Sequence, residues 1–171
     1  MPRSIITITT DFGQKDSYVA QLKGVLLSIN PQVHLVDLTH AIPSQDVVRA
    51  AAVLDETSDV FPGNTIHFVI VDLGVGTVWR IVGVKMAGQR FVAPDNGVLS
   101  MVSNRFKPER IVWLTVLRFW RQRVSNTFYG REVMAPVAAH LSLGTDLADF
   151  GESCTGALAE LPSRRPRFRI D

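Results

Sequence analysis

Thr65-Ile66-His67-Phe68-Val69-Ile70-Val71, followed at once by Asp72, is the stretch on which the fold turns. It is nearly continuous in apolar and β-branched residues. A strand that must be covered on both faces has this composition, as in parallel sheets. Phe61-Pro62-Gly63-Asn64 reads as the turn that leads into it.

Outward from that strand, helix and strand signals alternate. Ser4 to Thr9 is a short β-branched strand. Asp16 to Ile29 places Val19, Leu22, Val25, Leu26 and Ile29 at helical spacing, with Asp16 near the start and Asn30-Pro31 at the stop. Val33 to Asp37 predicts a second strand, and Asp46 to Leu54 a helix with Ser44 as its cap. Downstream, Ile81 to Met86 and Gln89 to Ala93 flank Ala87-Gly88 as a hairpin. Val98 to Phe106 predicts a helix and Arg110 to Thr115 a strand. Glu132 to Leu143 predicts a helix stopped by Gly144. The alternation predicts an α/β fold: a mostly parallel sheet flanked by helices on both faces, with one hairpin element. After Gly151 the periodicity ends. The expected organisation is an α/β domain over residues 1–151 and a linker-like basic tail over 152–171, which holds Pro162 and Pro166.

The chain has 171 residues, 46% of them hydrophobic, enough for one proper core. Its net charge of +2 is an average over unlike parts, because Arg164, Arg165, Arg167 and Arg169 cluster in the tail. The first 163 residues carry 14 basic and 15 acidic side chains, which argues against a nucleic-acid partner. No apolar run approaches the ~20 residues of a membrane span. Met1-Pro2-Arg3-Ser4 opens without the features of a signal peptide. Cys154 is the only cysteine, so no internal disulfide is possible, and a cytoplasmic location is expected.

Ligands of open α/β sheets bind beyond the carboxyl ends of the strands. Asp11, Asp37, Asp72 and Asp95 stand at that end of predicted strands. One such aspartate usually caps a helix or folds a turn. Four at one sheet edge point to a site for ribose hydroxyls, a cationic ligand or a metal. Gly74-Val75-Gly76-Thr77 could offer N–H groups to an anion or sugar, but it lacks the third glycine of a dinucleotide fingerprint and the Gly-Lys-Ser/Thr of a phosphate loop. His34, His40, His67 and His140 show no metal spacing, so no metal is expected. Ser100, Ser125 and Cys154 have no evident base, which argues against a hydrolytic triad. In Thr127-Phe128-Tyr129-Gly130-Arg131-Glu132, aromatics at a helix start suit stacking on a base or sugar, or packing of the loop on itself.

Five blocks, in order, resemble one family. They are Thr9-Thr10-Asp11-Phe12-Gly13 with Asp16, Tyr18-Val19 and Lys23-Gly24; Asp37-Leu38-Thr39-His40 with Ile42-Pro43 and Asp46; Val71 to Thr77; Ala93-Pro94-Asp95-Asn96-Gly97-Val98-Leu99; and Thr127 to Glu132 with Ala135 to Leu141. The chain is similar, from about residue 4 to residue 151, to the adenosine-forming S-adenosylmethionine hydrolases (hydroxide adenosyltransferases), whose relatives include fluorinase and chlorinase. The resemblance implies attack of a nucleophile on the ribose C5′ of S-adenosylmethionine, the substrate, with methionine leaving and no cofactor. Water gives adenosine; halide gives a 5′-halo-adenosine. It implies Asp72 as the acid acting on the attacking water, Asp11 as the carboxylate holding the ribose hydroxyls, and Phe12, Thr77, Phe128, Tyr129 and Gly130 as the lining around substrate. It also implies a homotrimer and a smaller β-rich C-terminal domain, which is absent from this sequence.

Three departures qualify it. Trp79 stands where the hydrolases place an arginine, with Arg80 one step later, Tyr129 where they place a histidine, and Leu73 where they place a proline. Tyr129-Gly130 resembles the chlorinases, but those lack a carboxylate at the position of Asp72. A carboxylate beside chloride repels it by roughly 1 kcal/mol at 4 Å in water and by more when desolvated. The expectations are therefore a water-using hydrolase first, a halogenase-like transferase second, and a non-catalytic nucleoside-binding or assembly domain third.

Overall fold

The computed structural model describes residues 3–72, 80–122 and 128–161. Among these, β1 (Ile5–Thr10), β2 (His34–Thr39), β3 (Ile66–Ile70), β4 (Ile81–Met86), β5 (Gln89–Pro94) and β6 (Arg110–Trp113) form one sheet. Its order is β2-β1-β3-β5-β4-β6. The pairs β1–β2, β1–β3 and β3–β5 are parallel, and β4 runs antiparallel to both its neighbours. One reversed strand therefore sits in an otherwise parallel sheet, as the hairpin signal predicts. Ala87 and Gly88, with φ of 52° and 73°, make the two-residue turn that suits the twist of a hairpin.

Every residue of β3 is buried, because the strand lies mid-sheet and both of its faces are covered. Ile66, Phe68 and Ile70 pack in the cluster with Leu22 and Leu26 of α1 (Tyr18–Ile29) and Ala135 and Ala138 of α4 (Ala135–Ser142). Val69, with Val71 just beyond the strand, packs in the cluster with Ala50 and Leu54 of α2 (Val47–Thr57) and Val102 of α3 (Ser100–Arg105). The two-residue period of a strand thus divides the core into two layers, one on each face.

Several element boundaries differ from the sequence reading. The cap of α2 is Asp46, not Ser44: its Oδ1 accepts the Arg49 N–H at 2.9 Å, while left-handed Gln45 (φ 62°) separates Ser44 from the helix. Asp16 makes no cap, and α1 starts at Tyr18. The helix expected from Glu132 begins instead as a π-helical turn, Gly130–Met134, and becomes α4 only at Ala135. Pro136 has no N–H for the carbonyl four residues back; that carbonyl, of Glu132, accepts from the Arg121 N–H at 2.9 Å.

Beyond Gly151 the chain folds back on β6. Ser153 bridges Val112, and the Cys154 N–H donates to the Ile111 carbonyl at 2.8 Å. A Cβ on Gly151 would lie 1.8 Å from the Trp113 oxygen, so only glycine allows this approach. The expected basic residues of the tail, Arg164 to Arg169, lie outside the described residues. No helix among the described residues is long and apolar enough to cross a membrane.

Candidate active site

Because β1, β2, β3 and β5 are parallel, their carboxyl ends share one edge. Asp11 leaves β1 there and Asp72 follows β3. The two meet: the Asp72 N–H donates to Asp11 Oδ2 at 3.2 Å, and the Gln45 N–H donates to the same oxygen at 3.0 Å. Both donors are left-handed non-glycine residues, Asp72 with φ 53° and Gln45 with φ 62°. Such backbone persists only where surrounding contacts hold it, and it concentrates at functional sites. Asn96, in the turn after β5, donates through Nδ2 to the Val71 carbonyl at 2.9 Å and to the Asp72 carbonyl at 3.3 Å.

An aromatic run borders these carboxylates. Phe12, next to Asp11, has its ring centroid 5.9 Å from that of Tyr18, and Tyr18 lies 5.8 Å from Phe128. The Arg131 guanidinium covers Phe128 at 4.5 Å. Arg131 also pairs with buried Glu132, and Arg121 flanks the other carboxylate oxygen at 3.5 Å. That network anchors the turn carrying Tyr129, which is exposed, and Gly130, which is buried against Ile70 at the end of β3. The sequence reading named Phe12 and Phe128 as lining residues; Tyr18, which joins them, escaped it because its position at a helix start looks like ordinary amphipathic packing.

The other two aspartates serve elsewhere. Asp95 Oδ1 accepts the Ala159 N–H at 2.8 Å and so ties down the segment beyond β6. Asp37 pairs with Lys23 at 2.6 Å and approaches His40 Nε2 at 3.1 Å. Burial raises the Asp37 pKa, but the hydrogen bonds and charges of Lys23 and His40 outweigh it and hold the group below its ordinary value. His40 Nδ1 reaches Thr10 Oγ1 at 3.0 Å, which braces the loop leading to Asp11. The four-aspartate edge therefore divides into a pair, Asp11 and Asp72, and two structural members. Thr77, Trp79, Leu73 and the Gly74-Val75-Gly76 turn lie outside the described residues, as does Thr127. Among the described residues no group of three histidine, cysteine or acidic side chains is arranged to hold a metal.

A family model described as the SAM hydroxide adenosyltransferase N-terminal domain matches residues 6–151. The chain belongs to that family. Within the SAM hydroxide adenosyltransferase family, it is 41% identical to a protein of Salinispora arenicola named (R)-S-adenosyl-L-methionine hydrolase, over 92% of this chain and 61% of that one. A crystal structure of an uncharacterized conserved protein from Thermotoga maritima superposes with a TM-score of 0.89 at 37% identity, over 94% of this chain and 62% of that one. A protein named fluorinase, from Nocardia brasiliensis, is more distant: 28% identical over 87% of this chain and 57% of that one. The chain thus spans about 60% of the length of these relatives.

Proposed function

We propose that this domain carries the reacting half of an S-adenosylmethionine hydrolase site, in which water displaces methionine from the ribose C5′. The observation that carries the proposal is the junction of Asp11 and Asp72 at the ends of adjacent parallel strands, beside the Phe12–Tyr18–Phe128 run. Asp11 holds the ribose hydroxyls through its carboxylate. Asp72 orients the attacking water and accepts its proton as the oxygen bonds to C5′. The C5′–sulfur bond breaks, and its electron pair stays on sulfur as the neutral thioether of methionine. The leaving group needs no proton, so positioning and desolvation of the water supply most of the acceleration. Phe12, Phe128, Tyr129, Gly130 and Thr77 line the sugar and C5′.

Two negative charges at this edge favour a sulfonium cation and disfavour halide, which supports water over chloride as nucleophile. Trp79 and Tyr129, in place of the arginine and histidine of the hydrolases, leave Asp72 as the one member of that trio. By the same family reading, residues 1–151 form the N-terminal domain, a C-terminal domain completes the adenine and methionine walls, the assembly is a trimer, and the location is cytoplasmic.

The test is incubation of the purified chain with S-adenosylmethionine, followed by quantification of adenosine and methionine in equal amounts. Adenosine formation that is unchanged by Asp72→Asn rejects Asp72 as the acid. Formation of 5′-chloro-adenosine on adding chloride replaces the hydrolase reading with a halogenase one.

A further inference from the structure

We propose that Asn96 and Asp11 are positioning residues that clamp the Asp72 backbone in its left-handed conformation and thereby aim its carboxylate. The inference rests on the reading of Asp72 as the acid and adds to it how that acid is held. Three polar groups of the peptide planes that flank its α-carbon are taken by side chains. The Asp72 N–H donates to Asp11 Oδ2, and the Val71 and Asp72 carbonyls accept from Asn96 Nδ2. The grips come from opposite sides, since Asp11 follows β1, Asn96 follows β5, and β3 lies between those two strands. With both flanking peptide planes pinned, only the side-chain torsions of Asp72 stay free.

Each grip is itself anchored. Asn96 Oδ1 accepts the Val98 N–H at 3.2 Å, so the amide cannot flip without losing a bond at each end. The preceding residue, Asp95, is held by its N–H on the Arg80 carbonyl at 2.7 Å and by its carboxylate on Ala159. Asp11 Oδ2 also accepts from left-handed Gln45, so one oxygen stabilises two unfavourable backbone positions. This gives Asp11 two tasks through two oxygens: Oδ2 faces the backbone, and Oδ1 has no hydrogen-bond partner among the described residues. A turn-forming asparagine alone would need only its bond to Val98; the reach to Val71 and Asp72, 25 and 24 residues earlier, ties the turn to the acid.

The experiment is NMR of the whole chain, reading amide hydrogen exchange and the HN–Hα coupling of Asp72 in the wild type and in Asn96→Asp, with turnover of S-adenosylmethionine measured in parallel. Asn96→Asp keeps the acceptor for Val98 and removes both donors. The expected result is a shift of the Asp72 coupling away from its left-handed value and exchange faster by about tenfold. In turnover, kcat falls about tenfold with KM within about twofold, because the acid is misaimed while the binding surface stays. Asp11→Asn, in contrast, raises KM and lowers kcat together. Unchanged Asp72 signals in folded Asn96→Asp overturn the clamp. Should that variant not fold, the wild type decides: slow exchange of the Asn96 side-chain protons supports the clamp, and exchange as fast as a free amide overturns it. Absence of turnover in the wild type counts against this domain acting by itself as the hydrolase, while the NMR readouts still judge the clamp.

Discussion

The two ends of the central strand β3 are built for opposite purposes. Near its start, His67 is fully buried, with Nδ1 2.8 Å from the Thr7 hydroxyl and Nε2 3.2 Å from Gln89 Oε1. The Gln89 amide donates to the Ser58 and Phe61 carbonyls at 2.8 and 3.0 Å, so its oxygen must be the atom facing His67. His67 therefore donates from Nε2 and accepts at Nδ1, and the ring stacks on Phe91 with centroids 4.8 Å apart. Both ring nitrogens of His67, the Thr7 hydroxyl and the Gln89 amide are used within the fold. Past the other end of β3, the Asp72 backbone is gripped by Asp11 and Asn96, while its carboxylate makes no hydrogen bond among the described residues. Polar groups that satisfy one another stabilise; polar groups whose backbone is fixed and whose heads are left open can act on something else.

The sharpest break between the two ends is a pair of substitutions. Asp72→Asn should lower the rate of adenosine formation by about 10²- to 10⁴-fold, the range for losing a general base, while the melting temperature stays nearly constant. His67→Ala should do the reverse. It strands the Thr7 hydroxyl and Gln89 Oε1 and opens a cavity, and chemical denaturation should read a loss of about 2–4 kcal/mol. If His67→Ala abolishes ligand binding in protein that stays folded, the division between the two ends is wrong.

A pH series sharpens the same contrast. Burial pushes the His67 imidazole from its ordinary 6.5 down to about 4, against the opposing bond to Gln89. Above pH 6.5 neither the folded nor the unfolded chain protonates the ring, and its stabilising contribution is fully present. Between 6.5 and about 4 the unfolded chain takes up a proton that the folded chain excludes. Stability should fall across that window by at most about 3 kcal/mol, measured by denaturation at successive pH values. His67→Gln should flatten the slope there.

Gly130→Ala tests the site end. A Cβ would come within 2.6 Å of Ile70 Cδ1, the movable tip of a side chain. The expected cost is about 1–2 kcal/mol in thermal or chemical denaturation, together with weaker substrate binding as the Phe128–Tyr129 turn lifts. The smallest effect should come from Lys23→Ala, which removes one of the two partners of Asp37 and leaves His40. The pair is partly exposed, so denaturation should register less than about 1 kcal/mol.

The core was legible where apolar spacing is strong. Thr65 to Val71 was readable as a doubly covered strand because burial on both faces demands apolar residues at every position. The hairpin was readable because Ala87-Gly88 separates two strand patterns. Helix starts were less legible: Ser44 and Asp46 both suit a cap, and only the left-handed turn at Gln45 decides between them. At the candidate site, Asp11 and Asp72 were visible as carboxylates at strand ends, Phe128 as an aromatic at a helix start, and Phe12 through the family resemblance. Asn96 was visible only as a member of a family block, since its reach to the Val71 and Asp72 carbonyls depends on β5 lying beside β3.

The amino-acid sequence alone determined the layered α/β architecture, the edge on which the carboxylates stand and the family kinship. These follow from local periodicity and from short motifs in order, which need no knowledge of distant contacts. The tertiary structure alone decided which aspartates meet. Strand order brings Asp11 to the Asp72 amide and sends Asp95 to Ala159 and Asp37 to Lys23. A hydrogen bond spanning tens of residues leaves no periodic trace in the chain, because its partners are chosen by which strands become neighbours.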